Sequence, residues 1–199
     1  MKTLIVATRN QGKLREIRDL LKEMPFDVIS LADLDGIPDI VEDGATFRAN
    51  ALKKALTISR YTKALVLGED SGLEVVALGN RPGVYSARYA GPGATDKKNN
   101  LKLLRALKGT ALSDRQARYR CVAALTQGEE VIAVVSGSCS GLIAEHSRGK
   151  NGFGYDPLFF IPRFGKTFGE LDPSVKFRMS HRARAMAKVK KVLAGQCGA

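Results

Sequence analysis

The chain has 199 residues, of which 32 are Lys or Arg and 20 Asp or Glu, giving a formal net charge of +12. That length supports one compact domain, or two small lobes, without disulfide or metal staples, and 44% hydrophobic with 26% charged residues excludes a disordered or collagen-like chain. The positive balance favours an anionic partner and leaves nucleotide, nucleic acid and membrane surface all open.

Leu4-Ile5-Val6-Ala7 reads as a buried strand. The segment is too short and too quickly polar for a signal peptide, and no apolar stretch approaches a membrane span, so a cytoplasmic protein is expected. Leu14, Ile17, Leu20 and Leu21 fall on one helical face, which Pro25 stops. Val28 to Leu31 is a second strand, followed by an acidic, turn-rich stretch from Asp33 to Gly44. Thr46 caps a helix to about Thr57 with Phe47, Ala51, Ala55 and Ile58 inward and Asn50 and Lys54 on a neighbouring face. Ala64 to Leu67 is a strand running into a polar turn, Gly68-Glu69-Asp70-Ser71-Gly72, and Leu73 to Leu78 resumes apolar character.

Residues 79–93 hold four Gly and two Pro and read as a long loop, after which Asp96 caps a helix packing Leu101, Leu104 and Leu107. Tyr119 to Thr126 and Glu130 to Ser136 form a hairpin. Gly149 to Asp156 is a second Gly-rich loop. Ser180 caps a C-terminal helix with Ala183, Met186, Val189 and Leu193 inward and Arg182, Arg184, Lys188, Lys190 and Lys191 mostly outward. Strands and helices mixed in this order predict an α/β or α+β fold with a mixed sheet, of undetermined strand order.

Cys121, Cys139 and Cys197 have no CxxC spacing, and His146 and His181 stand far apart, so a zinc site of the usual kinds is not expected and Cys121 and Cys139 read as small core side chains. Neither histidine has a nucleophile in a recognisable context, which argues against covalent acyl chemistry. Ala7 to Lys13, between a strand and a helix, offers backbone N–H groups and a helix dipole to phosphate, or is simply a helix start. It lacks the first glycine and the final Ser or Thr of a Walker A loop. Glu42-Asp43 and Glu69-Asp70 sit at element ends, where carboxylates hold Mg²⁺ beside substrate phosphates or merely cap turns. Lys54, Arg88, Lys176 and Arg182 near Gly-rich turns are phosphate ligands or solvated charges. In Gly152-Phe153-Gly154-Tyr155-Asp156-Pro157, Phe153 or Tyr155 stacks on a base or belongs to the core, and Asp156 hydrogen-bonds the base edge. His181 either lies at the surface near a helix cap or reads a keto oxygen.

Taken together, these stretches resemble the inosine triphosphate pyrophosphatase family. The matching segments are residues 7–16, 42–51 with Lys54-Ala55, 69–73, 82–91, 152–157 and 180–182, in family order and over nearly the whole chain. The resemblance implies a mixed β-sheet with flanking helices, residues 1–199 forming a single domain of two lobes around a central cleft, usually as a homodimer. It implies a Mg²⁺-dependent attack of water on the α-phosphorus of ITP, dITP or XTP, leaving the monophosphate and pyrophosphate and clearing deaminated purines from the nucleotide pool. Carried over by residue, Thr8, Arg9, Asn10, Gln11, Gly12 and Lys13 cradle the triphosphate, Lys54 adds charge and Arg88 lies near the site. Glu42 and Asp70 match the metal-binding acids, and Asp70 also the proton acceptor, with Ser71 beside it on the substrate. Phe153, Gly154, Tyr155, Asp156, Lys176, His181 and Arg182 match the nucleoside-recognition positions, where a 6-keto purine is told from adenine.

Arg9 stands where many relatives have Gly, Glu69 where bacterial relatives often have Asp, and the residues between Lys176 and Ser180 are less typical. A basic nucleic-acid-binding domain is the competing reading from another class. It is disfavoured because the cations are spread along the chain and the paired acids repel phosphate, so no stable nucleic-acid or membrane partner is expected. A Maf-like nucleotide pyrophosphatase is the competing enzyme. Residues 180–182 and 153–156 favour the purine family.

Overall fold

The structure is a computed structural model and describes residues 2–197. Met1, which opens the amino-terminal segment read above, lies outside the described residues, as do Gly198, Ala199 and the side chains of Gln196 and Cys197. In chain order the elements are β1 (Lys2–Val6), α1 (Gln11–Leu21), β2 (Phe26–Ser30), α2 (Phe47–Thr62), β3 (Leu65–Val75), β4 (Arg81–Pro82), α3 (Asp96–Ala106), β5 (Gln116–Gln127), β6 (Glu130–Ile143), β7 (Phe159–Ile161), β8 (Lys166–Thr167), α4 (Pro173–Met179) and α5 (His181–Cys197). The strands form one mixed sheet in the order β2-β1-β3-β5-β6-β7-β8, with β4 also on β3. β1 lies parallel to β2 and to β3, whereas β6, β7 and β8 pair antiparallel in turn. The α/β fold with flanking helices is as expected.

The chain divides into two compact units, each with its own core. The first comprises Met1–Asp70, Cys121–Gly137 and His181–Ala199. In it β1 is buried on both faces, Ile5 on one and Leu4 and Val6 on the other, which accounts for the unbroken apolar run there. Leu4 and Val6 pack with Leu14, Ile17 and Leu21 of α1, with Cys121 and Leu125 of β5, and with Met186, Val189 and Leu193 of α5. Ile17 is wholly buried, and cutting such a side chain back to alanine costs about 2–5 kcal/mol. The second unit, Ser71–Arg120 and Ser138–Ser180, gathers Leu73, Val75, Leu103, Leu107, Cys139, Phe159 and Phe168. The rings of Tyr119, Phe159 and Phe168 meet at 4.6 to 6.1 Å there. Both cysteines with described side chains, Cys121 and Cys139, are buried and outside any disulfide, as expected.

Several local expectations need correction. Residues Gly68 to Gly72 are no turn: β3 runs through them for 11 residues. Gly68 is small because β3 passes α2 there, and a Cβ would collide with the Ala51 carbonyl and the Ala55 backbone nitrogen. Thr95, not Asp96, caps α3, its hydroxyl accepting from the N–H of Lys98. Leu107 at the end of that helix is buried and Leu104 is half-buried against the same core, as read, but Leu101 is exposed and Leu103, which was not read as inward, takes its place on the buried face. Residues 79–93 contain the short β4 and a 3₁₀ segment, Gly83–Arg88. The hairpin strands are longer than read, and α4 went unseen. Arg182, expected outward, is only 1% exposed, for a reason found in its partners.

Candidate active site

The first unit positions most of the residues singled out above. β1 ends at Val6, and Asn10 turns the chain into α1 by accepting the Lys13 N–H on its side chain at 3.0 Å. Such a cap is worth about 1 kcal/mol, and the amides of Gln11 and Gly12 stand in the helix's first turn, where no carbonyl within the helix can receive them. Thr8 is nearly buried and its hydroxyl accepts the Asn10 N–H. Arg9 is exposed and pairs with Asp39 at 3.5 Å. Residues 8–13 are therefore a helix start with a cationic rim, the arrangement that receives phosphate.

β3 supplies the two acids. Its pleat sends successive side chains to opposite faces, and the partners of Glu69 and Asp70 differ accordingly. Glu69 has no exposed side-chain surface and meets Lys13 at 2.9 Å and Arg182 at 3.0 Å. Arg182 also pairs with Glu16 of α1, and the Cys121 thiol donates to Glu69 Oε1 at 3.2 Å. Two cations thus balance two carboxylates. Burial alone raises a carboxyl, but Arg182 and Lys13 hold Glu69 well below the ordinary range. Burial and the neighbouring Glu69 push the Cys121 thiol well up, so it stays protonated and unreactive. Removing one partner from such a buried pair costs about 3–5 kcal/mol, which is why Arg182 lies inward.

Asp70 turns to α2 instead. Lys54 of that helix stands 3.5 Å from Asp70 Oδ1 and 3.0 Å from Glu42 Oε2. Asn50, one turn earlier, donates from Nδ2 to Asp70 Oδ2 at 3.1 Å while its Oδ1 accepts the Gly44 N–H at 2.8 Å. It therefore ties the segment carrying Glu42 to the strand carrying Asp70. Sequence reasoning noted Asn50 only as a helix-face residue; its i, i+4 spacing from Lys54 was the signal available. Burial raises the Asp70 carboxyl despite Lys54 and Lys13 nearby. Two carboxylates share one ammonium here, so the group carries one net negative charge. That donor set suits Mg²⁺, which binds through one or two carboxylates and completes its shell with water and phosphate. Among the described residues no group of three or more His, Cys, Asp or Glu is placed to hold a metal alone. His181 opens α5 and is buried, and Gly137 lets that helix start close to the sheet, since a Cβ would collide with the His181 carbonyl.

The second unit gathers the rest. Asp156 is buried and accepts from the N–H of Phe153 at 2.9 Å, from Lys176 Nζ at 2.6 Å and from the Tyr119 hydroxyl at 3.4 Å. Gly152 takes a positive φ of 77°, and a side chain there would run into the Asp156 carboxylate. Lys176 stands 5.0 Å from the centre of the Phe153 ring, a cation–π distance. Tyr155 is a core ring whose hydroxyl donates to the Ser86 carbonyl at 2.8 Å, whereas Phe153 is half-buried. Arg88 is exposed, its guanidinium 5.1 Å from the Tyr85 ring centre. Ser71 is partly buried in β3.

The model of the Ham1 family matches residues 4–192. The chain belongs to that family. It is 46% identical over 190 residues to a protein of Desulforamulus reducens named dITP/XTP pyrophosphatase, covering 96% of this chain and 94% of the relative. A Geobacillus kaustophilus protein of the same name is 48% identical over 189 residues, covering 95% and 93%. Among solved structures, a HAM1 protein from Coxiella burnetii superposes with a TM-score of 0.89 at 40% identity, covering 98% of this chain and all of the other. The Staphylococcus aureus Ham1 protein gives 0.87 at 38%, with the same coverage. The resemblance read from the motifs is borne out, and the fold of this Ham1 chain is that of its solved relatives.

Proposed function

We propose that the chain hydrolyses dITP, ITP and XTP to the monophosphate and pyrophosphate with Mg²⁺ as cofactor. The observation that carries this is the Glu42–Lys54–Asp70 group, whose excess negative charge calls for a cation in a chain otherwise rich in phosphate-binding groups. The names of its relatives, dITP/XTP pyrophosphatase, support the substrate class.

In this reading Thr8 to Lys13 and Lys54 take the triphosphate, while Glu42 and Asp70 hold Mg²⁺, which neutralises phosphate charge and polarises the α-phosphorus. Water adds its oxygen to that phosphorus, the bond to the bridging oxygen breaks, and pyrophosphate departs with the electron pair. Asp70 accepts the proton of the attacking water, its proton affinity raised by burial, and Asn50 keeps its other oxygen in place. Glu69 acts as the fixed counter-ion of Lys13 and Arg182 rather than as a metal ligand, since both its oxygens already face cations. Ser71 and Arg88 contact the substrate. Phe153 stacks on the purine, with Gly154 and Tyr155 shaping its loop, and Asp156, Lys176, His181 and Arg182 distinguish a 6-keto group from a 6-amino group. A mismatch at such polar contacts costs on the order of 10⁴ in selectivity. The protein acts as a cytoplasmic homodimer; among the described residues no helix is long and apolar enough to cross a membrane.

The deciding experiment incubates ITP or ATP with Mg²⁺ or EDTA and separates the products. IMP and pyrophosphate from ITP, only with Mg²⁺, is the expected result. No turnover of either, with salt-sensitive binding to DNA or RNA, would overturn it.

A further inference from the structure

The first two turns of α3 hold three polar side chains whose bonds leave the helix. Asn99 grips the segment around Arg88: its Oδ1 accepts the Ala90 N–H at 2.7 Å, and its Nδ2 donates to the Ala87 carbonyl at 3.1 Å. Asn100 donates from Nδ2 to the Gly154 carbonyl at 3.0 Å, while Asp96 Oδ2 accepts the Gly154 N–H at 2.7 Å. Gly154, at φ 63°, is thus held from both sides of its backbone. One helix end fixes two loops that lie far apart in sequence, one carrying Arg88 and the other Phe153.

Packing alone does not call for these residues. Two successive buried asparagines are poor helix formers, and leucines at these positions would extend the apolar face of Leu103 and Leu107. Asn100 is also only 9% exposed, and its Oδ1 has no hydrogen-bond partner among the described residues. A fold keeps such a group where the polar atom beside it is in use.

We infer that Asp96, Asn99 and Asn100 are positioning residues that set the separation of Arg88 and Phe153. The first turns of α3 then serve as a gauge for the nucleotide those two side chains contact. The inference rests on the pyrophosphohydrolase reading above.

The test is steady-state kinetics of the full-length Asp96→Ala, Asp96→Asn, Asn99→Ala and Asn100→Ala variants on ITP and GTP, with a melting curve for each. The gauge predicts that the KM for ITP rises about tenfold in the alanine variants while kcat stays within about twofold. It also predicts a reduced preference for ITP over GTP, and recovery in Asp96→Asn, whose side-chain oxygen still accepts from Gly154. Unchanged KM in variants that melt like the wild type would overturn the inference. An equal loss of kcat on both nucleotides with a lowered melting temperature would do the same. Asp96 is exposed, so its two variants decide the matter should the asparagine variants not fold. A wild-type chain that leaves ITP intact removes the activity reading itself, a result distinct from an active wild type with indifferent variants.

Discussion

Glu69 and Asp70 are adjacent, yet one is neutralised by Lys13 and Arg182 while the other keeps a carboxyl raised by burial. A carboxyl whose folded pKa lies above its unfolded one favours the fold below the unfolded value, and that contribution is lost as pH rises through the folded value. At neutral pH the ionised Asp70 therefore weighs against the folded state. Asp70→Asn is expected to lower ITP turnover by about 10²–10⁴ and to melt above the wild type at neutral pH. The difference in melting temperature should close as pH falls toward the range where Asp70 itself protonates. A variant that turns over normally would remove Asp70 as proton acceptor, and one that melts lower would contradict the charge argument. His181→Ala, by the recognition assigned above, should raise relative use of ATP or GTP, read from kcat/KM ratios.

The contact of β3 with α2 depends on a residue with no side chain. Gly68→Ala would force a Cβ into the Ala51 carbonyl, an overpacking expected to cost about 1–3 kcal/mol. Because β3 carries Glu69 and Asp70 immediately after this glycine, turnover should fall with stability. Gly195, in α5, has open space where a Cβ would stand, with nothing within 4 Å, and Gly195→Ala should add about 0.5–1 kcal/mol. Urea midpoints of the pair check both signs. If the two variants shift alike, the steric account of Gly68 is wrong.

At the scale of the whole molecule, acid should act through the buried ion group. Glu69 has a depressed folded pKa, so its contribution is complete above the ordinary carboxylate range and is lost as pH falls below it. Wild-type urea midpoints should therefore fall more steeply than those of Glu69→Gln between about pH 6 and about pH 3. Parallel slopes would remove Glu69 as the source. This same group marks the limit of what the sequence discloses. The Thr46 cap, the inward face of α2 and the β1 run were legible because each rests on residues within a turn or two. The inward course of Arg182 was not, since it depends on Glu69 and Glu16, 113 and 166 positions away. Gly68 mimicked a turn because a strand that yields space to a helix uses the same residue as a chain that reverses. The motifs disclosed candidate ligands, but the sharing of Lys54 by Glu42 and Asp70 needed three distant segments brought together.

Among the described side chains, each unit encloses a buried thiol in its own core, Cys121 in the first and Cys139 in the second. A thiol reagent in excess can reach either sulfur only during a transient opening, so labelling rates under native conditions read the opening free energy of each unit separately. With Cys197 replaced by serine, mass spectrometry of peptides carrying the two remaining sites would follow both clocks in one sample. Adding nucleotide would then show which of the two it slows.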